Sequence, residues 1–263
     1  MDAKDIKKHL KKNVEIIIYD VATSSNITAK ELASKGAKEG TTVVVKSQTN
    51  GRGRLGRSFI SNSENGLYMS IILRPKIPID KCANITALAS VAVLDAIEST
   101  SQCSCQIKWV NDIYINDKKV CGILTEASYN YEENLLDYVI CGIGVNVAPP
   151  KNGFDNSIKD IAGAIFEKEA PSIYKSVLCA SIIDTFFKYY NELEKKPYIN
   201  KYKEKSSVIG KKVDVYRGDE IIRGLAIDIN DNAELIVKTE NGDICVFNSG
   251  EARVRKSGDK LSI

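Results

Sequence analysis

Gly51-Arg52-Gly53-Arg54-Leu55-Gly56-Arg57 lies between two apolar runs, Val43-Val44-Val45 before it and Gly66 to Leu73 after it. Thr42 to Ser47 and Gly66 to Leu73 read as strands, so residues 48 to 65 form one long polar loop between them. A loop of that length inside a compact domain is usually functional or mobile. Its glycines let the backbone approach a ligand closely, and its three arginines supply forked donors suited to phosphate or carboxylate oxygens. The same Gly/Arg run also suits a solvated loop or a nucleic-acid contact, so the surrounding chain has to decide.

Upstream, Val14 to Tyr19 reads as a short buried strand. Thr23-Ser24-Ser25-Asn26 follows, then Ile27 to Ala37 with helical spacing and Gly36 near its end. The hydroxyls suit a helix cap, and they would also face whatever the neighbouring loops enclose. Downstream, Asp80 to Ser99 carries apolar residues at helical spacing and predicts a buried helix. Gln106 to Val110, Ile113 to Ile115 and Lys119 to Glu126 predict antiparallel strands, with Asn116-Asp117 as a turn. In the next strand, Leu136 to Val147, Gly142 and Gly144 indicate either a β-bulge or a close approach of something to the backbone. Helices are expected over 157–165, 171–194 and 198–205. Beyond them, 212–216, 221–229, 234–239 and 244–247 read as short strands joined by turns, Asn241-Gly242 among them, and predict a small β-barrel. The expected division is 1–206 for a main domain and 207–263 for the barrel.

The 263 residues are 43% hydrophobic and 27% charged, which predicts a globular core and argues against disorder. A net charge of only +3 disfavours a general nucleic-acid binder, so any basic site is local. No apolar run reaches the roughly 20 residues of a membrane-spanning helix, and Met1 to Lys12 is neither a secretory signal nor a transit peptide. Seven cysteines without C-x-x-C or disulfide-scaffold spacing predict reduced thiols and a cytoplasmic protein. Cys103 and Cys105 lie in a strand-like run and are expected to be free thiols that hold no metal.

Three motifs stand together: the basic glycine loop, Lys108-Trp109-Val110-Asn111-Asp112 with Lys119 downstream, and Gly142-Ile143-Gly144-Val145-Asn146. In this combination and order the chain resembles the biotin protein ligases, also called biotin–acetyl-CoA-carboxylase ligases, over nearly its whole length. The resemblance implies an α+β fold: a mixed, mostly antiparallel sheet with helices packed on one face, class II synthetase-like, followed by a small C-terminal SH3-like β-barrel. It implies an ATP-dependent, Mg²⁺-assisted ligase that makes biotinyl-5'-AMP, releases pyrophosphate and transfers biotin to a lysine of a biotin carboxyl carrier domain.

Carried over residue by residue, Ser24, Ser25, Asn26 and Gln48 would line the biotin pocket, where a neutral ureido ring calls for hydrogen-bonding groups without charge. Arg52, Gly53 and Arg54 would sit on a loop that closes over biotin and adenylate and orders only with ligand, because three arginines repel one another. Lys119 would reach the carboxylate and the α-phosphate, so that Arg52, Lys119 and Asp112 form the catalytic set. Arg54, Arg57, Phe59, Asn111 and Asn146 would bind ATP and the adenylate, and Asp112 would meet Mg²⁺ held mostly by phosphates. Trp109 reads as a packing residue and His9 as solvated.

Leu55, Val110 and Phe59 depart from the arginine, proline and tryptophan common in the family. Phe59 can still stack on adenine, with a smaller face and no N–H. About a dozen residues precede the first strand, so the expectation is a monofunctional ligase without a DNA-binding domain or a DNA partner, monomeric or homodimeric. The rival readings are a lipoate or octanoate ligase, which would want a more apolar cleft, and a non-catalytic nucleic-acid-binding module.

Overall fold

The computed structural model describes residues 1–61, 64–78, 82–130, 132 and 135–255. Asn62, Ser63, Asp80 and the last eight residues of the expected barrel lie outside the described residues.

Seven strands form the main sheet: β1 (Ile16–Ala22), β2 (Thr42–Gln48), β3 (Gly66–Leu73), β4 (Gln106–Lys108), β5 (Asp112–Ile115), β6 (Lys118–Asn130) and β7 (Leu135–Asn146). Their order is β1-β2-β3-β7-β6-β5-β4, with β1 and β2 parallel and every other pair antiparallel. Both faces of the central strands are used, and the period of two decides which side chain serves which face. Val44, Leu67, Met69 and Ile71 point into the core shared with α3 (Cys82–Ser101) and α4 (Tyr174–Tyr190). Val43, Val45, Ile72 and Ile140 point the other way, against Ala29 and Ala33 of α2 (Ser25–Ser34). Most of the helical layer therefore covers one face as expected, and α2 covers part of the opposite one.

Two shorter helices complete this part, α1 (Ala3–Lys7) and α5 (Ile199–Glu204). No helix of the described residues is long and apolar enough to cross a membrane. His9 is exposed.

The helix expected over 157–165 does not form. Its backbone makes isolated turn bonds, and Ala162 forms a parallel bridge with Lys119: Lys119 N–H donates to Ile161 O and Gly163 N–H to Lys119 O. With the Ile161 carbonyl and the Gly163 N–H taken by β6, and the Ile165 N–H donating to Asn146 O of β7, the segment cannot also close a helical ladder. Cys103 and Cys105 precede β4 and are not in a strand; both are free, as expected.

After α5 comes a five-stranded antiparallel sheet: β8 (Lys212–Arg217), β9 (Glu220–Ile229), β10 (Leu235–Thr239), β11 (Ile244–Phe247) and β12 (Glu251–Val254), ordered β11-β10-β9-β8-β12. β12 is a strand the local pattern did not announce. Among the described residues no ladder joins β11 to β12, so the sheet is not closed into a barrel by strand pairing. Trp109, only 3% exposed, ties the two sheets by donating from Nε1 to Ala233 O at 3.0 Å. This agrees with the packing role read from the sequence. Trp109→Phe is expected to cost roughly 1–3 kcal/mol in a urea melt, the penalty of leaving a buried carbonyl unpartnered.

Candidate active site

The face of the main sheet that packs on α2 changes character along β7. Tyr138 and Ile140 lie in the core beneath α2; the next residues on that face are Gly142, Gly144 and then Asn146. Gly142 pairs with Leu124 of β6 and with Ser70 of β3, and Gly144 with Gly122 and Tyr68, with no register shift at either position. The two glycines are thus not a bulge. A Cβ on Gly142 would stand 1.9 Å from Asn26 Oδ1, and one on Gly144 would stand 2.7 Å from the Phe59 ring. The strand is bare because Asn26 and Phe59 lie directly on it.

Two adjoining cavities open over this floor. The first is bordered by Ser24, Ser25, Asn26, Gln48 and Arg52. The second is bordered by Arg57, Lys108, Asp112, Asn146 and Glu251. Gly53, Arg54, Phe59, Asn111 and Lys119 border both. Of the residues carried over as biotin-binding, Ser24, Ser25, Asn26, Gln48 and Arg52 border only the first cavity; of those carried over as adenylate-binding, Arg57 and Asn146 border only the second, and the remainder stand at the boundary.

Amide and hydroxyl hydrogen bonds, ending on the Glu126 carboxylate, build the first cavity. Gln48 Oε1 accepts from Ser25 N–H at 2.7 Å, and Gln48 Nε2 donates to Ser61 Oγ at 2.8 Å. Ser70 Oγ lies 2.8 Å from Ser25 Oγ and 2.7 Å from Asn26 Oδ1, and Asn26 Nδ2 donates to Leu124 O and Glu126 Oε2. Ser24 occupies the N-cap of α2 without a side-chain cap bond, so capping does not account for it. Ser70 and Glu126 were missed by sequence reading. The signal for Ser70 was a lone hydroxyl in the otherwise apolar run Gly66 to Leu73; nothing local marked Glu126. Ser70→Ala is expected to raise the Kd for biotin several-fold by isothermal calorimetry, with about 1 kcal/mol lost in stability, because Ser25 and Asn26 lose a shared partner.

The arginines of the loop are not left facing one another. Arg52 pairs with Glu126 at 3.2 Å, Arg54 donates to Asn111 Oδ1 at 3.2 Å and to Gly250 O at 3.4 Å, and Arg57 pairs with Glu251. The premise behind ligand-dependent ordering, three cations without anions, is thus not met: two carboxylates and two neutral acceptors take that place. Leu55 at the loop tip is 73% exposed and has φ 54°, a left-handed conformation that costs a leucine roughly 1 kcal/mol.

Lys119 Nζ lies 2.7 Å from Asp112 Oδ1, and Asn146 Nδ2 donates to Gly163 O at 3.0 Å. The bridge between Lys119 and Ala162 thus sets both residues against the same stretch of chain. Burial pulls the Arg54 guanidinium below its ordinary value, partly opposed by Asp112. Burial likewise raises Glu251, but Arg57 and Arg253 outweigh it and hold the carboxyl below its usual 4.5. A depressed carboxyl stabilises the fold above the unfolded value, and that contribution disappears as pH falls through the folded one. The difference in stability between wild type and Glu251→Gln is therefore expected in full at pH 7, and in denaturant titrations it should shrink as pH falls below the usual 4.5 and close once the depressed folded-state value is passed.

Residues 19–146 match the Biotin/lipoate A/B protein ligase family, and residues 208–255 match the biotin protein ligase C terminal domain. The chain is 38% identical over 230 residues to the bifunctional ligase/repressor BirA of Bacillus subtilis, covering 86% of this chain and 70% of that one. It is 24% identical over 262 residues to the biotin–[acetyl-CoA-carboxylase] ligase of Mycobacterium tuberculosis, covering 96% and 90%. The biotin protein ligase of Aquifex aeolicus, solved with biotin and ATP, superposes with a TM-score of 0.73 at 28% identity over 92% of this chain and 99% of that one. The class these matches define is the ligases that attach biotin or lipoate to proteins. Within that class the chain belongs to the biotin protein ligase family and is a ligase that acts on biotin.

Proposed function

We propose that the chain condenses biotin with ATP to biotinyl-5'-AMP and then passes the biotinyl group to a lysine of a biotin carboxyl carrier domain. The observation that carries this reading is the pair of cavities sharing the wall of Arg54, Asn111 and Lys119. The first sets amides and hydroxyls, as a ureido ring requires, beside Arg52, Arg54 and Lys119; the second gathers four cations against two carboxylates, as a triphosphate requires.

In the first step a carboxylate oxygen of biotin bonds to the α-phosphorus, and the bond from that phosphorus to the bridging oxygen breaks. Pyrophosphate leaves with the electron pair. Both reactants are anions, so their repulsion is a large part of the barrier, and Lys119 at the junction meets the charge where it collects. Arg52 and Gly53 close the biotin side, and Arg54 and Arg57 serve the adenylate. Phe59 and Asn146 are assigned to adenine, Phe59 as the surface on which the base stacks.

Among the described residues no group of three or more His, Cys, Asp or Glu side chains gathers to hold a metal. Asp112 offers one carboxylate, with Lys119 on its Oδ1, a donor set that fits Mg²⁺ coordinated mainly by substrate phosphates. Bound there, the ion would neutralise phosphate charge. In the second step a neutral lysine amine of the carrier attacks the acyl carbon and AMP departs; Asp112 is assigned to take the proton that the amine must lose.

Incubation with biotin and MgATP is expected to yield biotinyl-AMP and an equal amount of pyrophosphate. If neither forms while lipoate or octanoate is activated, the reading is wrong.

A further inference from the structure

Glu126 borders neither cavity, yet it touches the walls of the first from two directions. Its Oε2 accepts from Asn26 Nδ2 at 2.8 Å, and its Oε1 lies 3.2 Å from Arg52 Nη2. The first contact reaches the α2 side, where Asn26 is buried and takes the Ser70 hydroxyl on its Oδ1. The second reaches the glycine loop. From Gly51 to Phe59 that loop folds back on itself as a small hairpin: Phe59 N–H donates to Gly51 O, Gly53 N–H donates to Arg57 O, and Arg52 bridges Ser58. A displacement of Arg52 is therefore passed to Arg54 and Phe59, which border both cavities. One side of the hairpin is fastened to the segment that enters β12, through Arg57 with Glu251 and Arg54 with the Gly250 carbonyl. On the biotin side the fastening is Arg52 with Glu126.

The two partners decide why a carboxylate stands here. Asn26 Nδ2 and the Arg52 guanidinium are both donors, so the residue between them needs two acceptors; a glutamine of the same shape has one acceptor and one donor, and satisfies only one side. With Nδ2 shared between Glu126 and Leu124 O, the Asn26 amide is fixed in one orientation. We propose that Glu126 is a positioning residue that ties recognition of biotin to closure of the loop: by holding Asn26 and Arg52 at once, it keeps the hairpin shut while the ligand keeps Asn26 in place, and so slows the escape of biotin. No atom of Glu126 has to meet the ligand. The assignment rests on biotin as the occupant of the first cavity, and adenylation does not enter its test.

Glu126→Gln should leave Asn26 an acceptor and release Arg52. Biotin should then dissociate about tenfold faster, measured by displacement of radiolabelled biotin without ATP, while the association rate changes by less than about threefold; a half-exposed ion pair supports no larger effect. High salt should speed dissociation from the wild type, where the pair is open to screening, and leave the variant nearly unchanged. Trypsin should cut the loop faster in the biotin-loaded variant than in the biotin-loaded wild type. Arg52→Gln approaches the same contact from its exposed end and should also speed dissociation, without disturbing β6. Adding Glu126→Gln to that protein should change the rate by less than about twofold, because the carboxylate then has no loop to hold. A dissociation rate unchanged in Glu126→Gln, or an undiminished tenfold rise when it is made in the Arg52→Gln protein, overturns the assignment. A wild type that shows these rates but forms no biotinyl-AMP would instead sink the adenylation reading and leave the role of Glu126 standing.

Discussion

Lys119→Ala should lower the rate of biotinyl-AMP formation by 10²–10³-fold, measured as biotin-dependent pyrophosphate release, while the protein remains folded. Three observations set that magnitude. Lys119 is the cation whose side chain borders both cavities in company with Arg54. Its backbone is fixed on both sides, to Ile161 and to Gly163, so no neighbouring lysine can take its position by a small shift. Its ammonium already holds Asp112 at 2.7 Å, so removal also leaves a half-buried carboxylate near the incoming phosphates and adds repulsion to the lost attraction. Lys119→Arg should recover little, because the longer, forked head cannot occupy the place of a compact point charge. If Lys119→Ala released pyrophosphate at the wild-type rate, Lys119 would have no part in adenylation.

Gly142→Ala should raise the Kd for biotin by about 100-fold, a larger change than any single hydrogen-bond deletion in the pocket. The added methyl would stand 1.9 Å from Asn26 Oδ1 and 2.7 Å from its Cγ, so Asn26 has to move. It cannot move alone, being joined to Ser70, to the Leu124 carbonyl and to Glu126, and through Glu126 to Arg52. Displacing three bonds of about 1 kcal/mol each gives the expected factor. The strand pairing around Gly142 is regular and should persist, but the displaced bonds also belong to the fold, so the melting temperature should fall as well, by roughly 2–4 °C for each kcal/mol lost. Calorimetry with biotin alone is the check. An unchanged affinity would mean that Asn26 is no part of the pocket.

Much of this was legible in the sequence where the information is local. β3 and β11 fall on the residues their apolar runs predict, and the turn at Asn116-Asp117 has both residues at positive φ, as that pair of residues tolerates. The glycines of β7 pointed to a close approach, and two side chains are found there. What the sequence did not carry is set by pairing between distant segments. Residues 157–165 look helical in isolation, yet Gly163 donates to, and Ile161 accepts from, Lys119 on a strand some forty positions earlier. β12 is short and carries an arginine and a glutamate among its four residues, so only its ladder with β8 makes it a strand. Glu126 gains its place by lying opposite Ile140 on the α2 face, a fact of register that no motif encodes.

That same register has a bearing on how this protein can vary. A slip of β7 by one residue would exchange Gly142 and Gly144 for Ile143 and Val145 on the cleft side, filling both cavities with aliphatic side chains while leaving every backbone ladder satisfied. Such a chain would still fold into a sheet, but it would have no room for a substrate. Strand alignment here is therefore under selection for vacancy as much as for cohesion, and insertions or deletions between β6 and β7 should be tolerated only in lengths that restore the phase.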